Sequence, residues 1–333
     1  MPLTEISDST WRVESAIGNR NLYQYIVVDQ GQAAIIDSGM ASTAREEILP
    51  AVAQLGLAPD AVTAIIVTHC DLDHQGGLST LKAALPGALA ICGFHDRGIV
   101  EEPERLLTDR YGAFESEHGV GYSAEEKGWM RGEYGDPVTL DLTLSGGESL
   151  TVGERTLNVL HAPGHSPGHV ILHEPSRGLL FSADAIHWRM CPAIDGSPAL
   201  PPTYEDVAPY RATISLVRGL AAHELHSGHW PARQGKEVDQ FLEQSEQFLA
   251  AIESAMCERL ERPASLAELC DHVEARIGPF GADPVNLMFA VHGHLVALLR
   301  GQDVVLTDWT QRPPRYQLAD LTEKRHEPRF LRK

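Results

Sequence analysis

A chain of 333 residues is long enough for one large domain or a domain with a smaller companion. Its formal charge of −19 comes from 46 acidic against 27 basic residues. That balance disfavours both phosphate-backbone contacts and docking on anionic lipid, so a small-molecule substrate is the expected partner, with no nucleic acid and no membrane. The five cysteines (Cys70, Cys92, Cys191, Cys257, Cys270) are odd in number and lack paired short spacing, which speaks against a disulfide framework and excludes a Cys-based zinc ribbon. With no leader-like N-terminus and no apolar run of spanning length, a cytoplasmic location with free thiols is the expectation.

The first elements read as short strands. Leu22 to Asp29 and Ala33 to Asp37 flank a Gln30-Gly31 turn and suggest a hairpin. Ser42 to Leu55 carries a helical stripe at Ala44, Ile48, Val52 and Leu55, ended by Gly56. The apolar run Ala61–Val67 predicts a strand, a short helix follows with Leu78, Leu81 and Leu85, and Leu89 to Cys92 predicts another strand. Residues 97–137 differ in texture, being rich in Glu, Gly and aromatics with weak periodicity. They predict an irregular or helical excursion over the core, a candidate lid insertion. Strands resume at Leu150–Val152, Thr156–His161, Val170–His173 and Leu179–Ser182, before a helix with Tyr210, Ile214, Val217 and Leu220 and a strand end at Leu225–His229.

From Lys236 the character changes. A long amphipathic stripe runs from Val238 to Leu260, Ser265 and Glu268 form a capping box for a second helix, and Asp283-Pro284 opens a third. A hairpin from Asp303 to Leu318 completes a winged-helix-like appendage, so the domains read as 1–235 and 236–333. The long stripe is also a candidate surface for a homodimer. The tail 312–333 is locally basic and reads as solvated.

The densest chemistry follows the Ala61–Val67 strand. In Thr68-His69-Cys70-Asp71-Leu72-Asp73-His74, two imidazoles and two carboxylates fall within six residues. Such side chains repel or desolvate one another unless a cation holds them. Three further turns supply candidates: His165 in Pro163-Gly164-His165-Ser166-Pro167-Gly168-His169, then Asp184, then His229. The remaining histidines read as surface or satisfied core residues, with His187 a candidate pocket wall. Cys70 points away from its neighbours.

The order and local context of these turns, over roughly residues 10–235, resemble the metallo-β-lactamase fold superfamily, with its His-x-His-x-Asp-His turn, Gly-His turn, bridging Asp and final His. Ile35-Ile36-Asp37-Ser38-Gly39 resembles that family's second hairpin, in which the Asp supports a ligand. The resemblance implies an α/β fold, a four-layer αββα sandwich, and two divalent metals, zinc foremost, with iron or manganese as alternatives. One metal would be held by His69, Asp71 and His165, the other by Asp73, His74 and His229, with Asp184 bridging. His169 would stabilise its turn.

It further implies a hydrolase of an ester, lactone, thioester or amide acting through a metal-bridging hydroxide. Asp73 and Asp184 would be the catalytic carboxylates, Asp73 orienting the nucleophile or moving a proton. The departure is Asp71, where the family usually has His. An added carboxylate favours harder metals, and it keeps open a hydrolytic dehalogenase of an activated aryl halide or a diiron redox protein.

Overall fold

Parallel strand pairs decide where this molecule can build a site, because parallel neighbours end on the same rim. In the computed structural model, which describes residues 3–280, 284–308 and 312–320, the first sheet has seven strands in sequence order. They are β1 (Leu3–Ser7), β2 (Thr10–Ile17), β3 (Arg20–Asp29), β4 (Gln32–Ile36), β5 (Val62–Val67), β6 (Leu89–Gly93) and β7 (Leu142–Leu144). Strands β1 to β4 pair antiparallel; β4, β5, β6 and β7 run parallel to one another.

The second sheet contains β8 (Ser149–Val152), β9 (Arg155–His161), β10 (Val170–Glu174), β11 (Leu179–Ala183), β14 (Glu224–Ser227) and β15 (Arg233–Gln234), in the order β15-β14-β11-β10-β9-β8. Only β11 and β14 pair in parallel. A ribbon of β12 (Cys191–Pro192) and β13 (Pro198–Leu200) lies in the connection between them.

The sheets face each other across a core of Tyr25, Val27, Ile36, Ile66, Leu157, Leu172 and Phe181, all buried. The run Val62–Val67 shows why it lacks strict alternation. Ile65 and Val67 pack outward against the helical turns around Ala44, Ile48 and Leu81, while Ile66 packs inward. A strand buried on both faces reads as continuously apolar. The helix Val207–Leu220 and the C-terminal helices cover the outer face of the second sheet, in one cluster that includes Leu180, Leu225, Ile214, Leu249 and Met288. The result is the expected four-layer mixed α/β sandwich.

Beyond Gly235 lie three helices, Lys236–Arg259, Leu266–Ile277 and Pro284–Arg300, and a hairpin of β16 (Val304–Asp308) with β17 (Arg315–Leu318). The capping box at Ser265 forms: its Oγ accepts from the Glu268 N–H and Glu268 accepts from the Ser265 N–H. Asp283 and the basic tail beyond Asp320 lie outside the described residues. No helix among the described residues is long and apolar enough to cross a membrane.

Two features differ from the sequence expectations, the early strands and the interrupted helix, and in the 97–137 excursion the helical alternative is the one observed. Strands β1 and β2 precede the anticipated hairpin, formed where half-exposed alternation at residues 3–17 gives a weak period-2 signal. The 97–137 segment is mostly helical, with turns at Arg97–Glu101, Leu106–Arg110, Glu115–His118 and Ala124–Glu133, the last opened by a Ser123–Glu126 capping box. The 42–55 helix begins at Ala41 and is interrupted by a wide turn at Ala44–Ile48.

Candidate metal centre

Asp37 follows β4 and His69 to His74 follow β5, a parallel pair in the first sheet, while Asp184 follows β11 and His229 follows β14, a parallel pair in the second; the packing of the two sheets brings these rims together, with the Tyr25 hydroxyl donating to Ser227 O and the Tyr23 N–H to Gly228 O. Strand β10 runs antiparallel to β11, and its start therefore brings the His165 turn to the same edge. Two glycines permit the closeness. A Cβ on Gly93, at the end of β6, would lie 1.7 Å from the Gly168 carbonyl; one on Gly228 would lie 2.5 Å from Asp184 Oδ1 and 2.7 Å from His74 Cε1.

All seven residues singled out as ligands converge, and all are buried. His69, Asp71 and His165 form one group and Asp73, His74 and His229 another, each offering ligand atoms within 4.8 Å of one another. Asp184 joins them. Its Oδ1 lies 3.7 Å from His74 Nε2, and its Oδ2 lies 3.3 Å from His229 Nε2 and 3.9 Å from His187 Nε2. His165 Nε2 lies 2.8 Å from Asp71 Oδ2, and His229 Nε2 is 3.2 Å from Asp73 Oδ2.

The donor set fits a divalent cation pair. His69 Nε2, His74 Nε2 and Asp184 Oδ1 are buried without a hydrogen-bond partner. Orphaned polar atoms of this kind cost about 1–3 kcal/mol each, and a cation would satisfy them together. Imidazole nitrogen with carboxylate oxygen suits zinc, iron and manganese.

The supporting contacts are as specific as the ligands. Asp37 Oδ2 lies 2.8 Å from His74 Nδ1, while Oδ1 accepts from the Thr68 N–H and hydroxyl, both at 2.8 Å. That leaves His74 Nε2 facing the site, as the hairpin resemblance suggested. Asn21 O takes the same role for His229, 2.7 Å from Nδ1. Asp96, which the sequence did not mark, ties two ligand turns together by accepting from the Cys70 and Gly168 N–H groups and the Ser166 hydroxyl. Cys70 is buried with its thiol pushed up by burial.

Arg110 is the other unmarked residue. It ends the wide turn Leu106–Arg110 inside the excursion, and its guanidinium grips Asp71 with both arms, Nε to Oδ1 at 2.5 Å and Nη2 to Oδ2 at 3.0 Å. Nη1 also pairs with Glu205, and the guanidinium stacks 5.3 Å from the centre of the Phe289 ring on the last helix. Where the resemblance leads to a neutral imidazole, this chain has a carboxylate gripped by a guanidinium that Glu205 also shares.

His187 lines this region, Nε2 lying 3.1 Å from His165 Nδ1. His169 stacks on His69 with ring centres 4.7 Å apart and planes 16° apart, and both its ring nitrogens lack partners. Its contribution is packing rather than a hydrogen bond within the turn.

Electrostatics show how strongly the rim draws positive charge. Burial pushes the Asp73 carboxyl up, yet the His74 and His229 rings hold it down at about 2. Burial likewise pushes Asp71 up, but Arg110 and its histidine contacts keep it well below the usual carboxylate range. His74, despite burial, is raised to about 9 by Asp37, Asp184 and Asp73. His229 is raised well above its ordinary value, against burial, chiefly by Asp184. His69 differs, since burial and the neighbouring His74 push it below its ordinary value.

The profile of the metallo-beta-lactamase superfamily matches residues 18–229. The chain belongs to that superfamily. Among curated relatives, it is 31% identical over 175 residues to the acyl-coenzyme A thioesterase MBLAC2 of Bos taurus, covering 50% of this chain and 55% of that protein. A hydroxyacylglutathione hydrolase of Maricaulis maris is 26% identical over 172 residues, covering 51% and 50%. The matched region thus spans about half the length of these relatives.

A solved metallo-beta-lactamase family protein of Thermus thermophilus superimposes with a TM-score of 0.76 at 22% identity, covering 95% of this chain and 100% of its own. A beta-lactamase domain protein from Burkholderia ambifaria gives 0.70 at 19%, covering 95% and 93%. The shared fold therefore includes the C-terminal helices as well as the metallo-beta-lactamase sandwich.

Proposed function

We propose that this superfamily member is a metal-dependent hydrolase of a small acyl substrate, with a thioester first among ester, lactone and amide. The observation that carries the reading is the convergence of seven buried ligands with three orphaned donor atoms on one rim. Two relatives whose names describe acyl-coenzyme A and acylglutathione hydrolysis support the thioester. Zinc is the favoured metal. The extra negative charge that made Asp71 an argument for iron or manganese is offset in part by Arg110, which Glu205 shares.

Two divalent cations held by His69, Asp71 and His165 and by Asp73, His74 and His229 would supply Lewis acidity and would lower the pKa of water toward about 7. The residues around them would do the rest. Asp184 would hold the two halves of the site together, and Asp73, kept ionised by His74 and His229, would orient the attacking water. Asp37 and Asn21 O fix the rings of His74 and His229, and Arg110 fixes the carboxylate plane of Asp71.

The adjoining pocket, about 290 Å³, is walled by Asp71, Asp73, Asp184 and His229 on one side and by Tyr111, Trp129, Met130 and Phe289 on the other. Within this reading residues 1–235 are the catalytic unit, 97–137 supply a wall of the pocket as an inserted segment, and 236–333 are an appendage that contributes Phe289. The test combines metal analysis with a panel of thioesters, lactones, aryl esters and chloroaromatics. Close to two metal equivalents are expected, with turnover abolished in Asp184→Asn. Full activity after exhaustive chelation would sink the proposal.

A further inference from the structure

Arg20 opens β3 beside the metal rim, and its backbone bridges Ala193 in the opposite connection. Its side chain lines the same pocket as Asp73 and His229, and its Nε is buried with no hydrogen-bond partner. The other described arginines without an ionic, hydrogen-bonded or ring partner are Arg45 and Arg262, and both are exposed, where water serves them. Elsewhere in the interior the pattern is the opposite. Arg110 grips Asp71 and Arg155 grips Glu174. This guanidinium is half-buried and has no acid partner in a chain with 46 acidic residues, and its Nε is left without an acceptor. The acid on the facing wall, Glu126, is occupied in capping its own helix at Ser123.

The rest of the pocket is poor in cations. Arg110, its other guanidinium, is held by two carboxylates. The walls away from the metal ligands are apolar and aromatic, from Ile17, Tyr111, Trp129, Met130 and Phe289. A substrate filling this space would place an apolar body along those side chains. Away from the metal ligands, the guanidinium of the described pocket lining that is free to meet an anionic group of that substrate is Arg20. Guanidinium meets carboxylate or phosphate through paired, charge-assisted hydrogen bonds.

We propose that Arg20 selects an anionic substrate: an acyl ester or thioester that bears a carboxylate or phosphate beyond its apolar portion, anchored on this guanidinium while the acyl carbon faces the metal rim. The proposal deepens the hydrolase reading and rests on it. It concerns specificity, so its signature is a preference ratio and not activity as such.

The full-length zinc-loaded protein is assayed with three matched thioesters of a phenylalkanoic acid: neutral, terminally carboxylated and terminally phosphorylated. The wild type is expected to prefer one of the anionic forms, and which one identifies the anion. Arg20→Gln should cut that preference by about ten- to hundredfold, mostly through KM, and Arg20→Lys should restore part of it. Equal losses on neutral and anionic substrates, with the ratio unmoved, would mean that Arg20 only supports its turn, and would overturn the proposal.

If no thioester or ester is turned over, the hydrolase reading fails, and Arg20 is then judged by calorimetry with a phenylalkyl sulfonate and the matching alcohol. Tighter binding of the sulfonate, lost by about tenfold in Arg20→Gln, would support the anion site. Equal binding of the two by the wild type would refute it.

Discussion

Replacing Asp71 by the histidine common at its position should destabilise this protein, although it restores the usual ligand. The reason is Arg110. Its side chain is 2% exposed, and Asp71 receives two of its N–H groups. A histidine offers a neutral ring and at most one acceptor, so the guanidinium would keep Glu205 and the His165 carbonyl as its remaining acceptors. Removing one partner of a buried ion pair costs about 3–5 kcal/mol, because the other charge stays buried and uncompensated. Glu205 remains, with a side chain 32% exposed, so the lower end applies, about 3 kcal/mol.

The assay is urea denaturation of chelator-treated protein, which removes any contribution from metal binding. Arg110→Met and the double variant complete a mutant cycle. Arg110→Met alone leaves Asp71 buried with only histidine contacts and should also lose stability. The double variant removes both charges and should be more stable than the two separate losses predict, with a coupling of about 2 kcal/mol. An Asp71→His protein within about 0.5 kcal/mol of wild type would refute the reasoning, as would a double variant that loses the plain sum of the single effects.

Two other outcomes follow from the same contacts. Asp37→Asn keeps the shape but weakens the acceptor that orients His74, and should lower metal affinity about ten- to a hundredfold in competition with a chromophoric chelator; unchanged affinity would place Asp37 outside the site's support. The histidines His118, His173, His226, His292 and His294, away from the ligand set, are all pushed below their ordinary values by burial. The unfolded chain therefore binds more protons than the fold below pH about 6.5, and each histidine subtracts stability as pH falls through that value toward its depressed folded pKa. His294→Gln should gain stability relative to wild type between about pH 7 and 5, and a difference that stays flat with pH would contradict this.

What the sequence made legible was what neighbouring residues decide together. The apolar run before His69, the Pro and Gly around His165 and the Ser265–Glu268 box each encode a local conformation, and each forms where it was expected. The ligand turns could be assembled because parallel pairing and a recurring family order connect distant segments. Asp71 was legible as an anomaly, but its meaning was not. Its counter-charge comes from position 110, 39 residues away, inside a segment whose weak periodicity gave no hint of which side chain turns inward. Asp96 was hidden for the same reason, since it joins Cys70 to Gly168 across two turns while looking, in sequence, like one acid among 46. A buried carboxylate in place of a neutral ligand implies a nearby cation on electrostatic grounds alone. Charge balance thus predicts that an arginine or lysine must exist, and only the packing of the excursion against the rim and the Phe289 ring decides that it is Arg110. The same reasoning gives Arg20 its interest. Among the described residues it is the pocket cation with no acid within ion-pair reach, and the missing acid is then sought in the substrate.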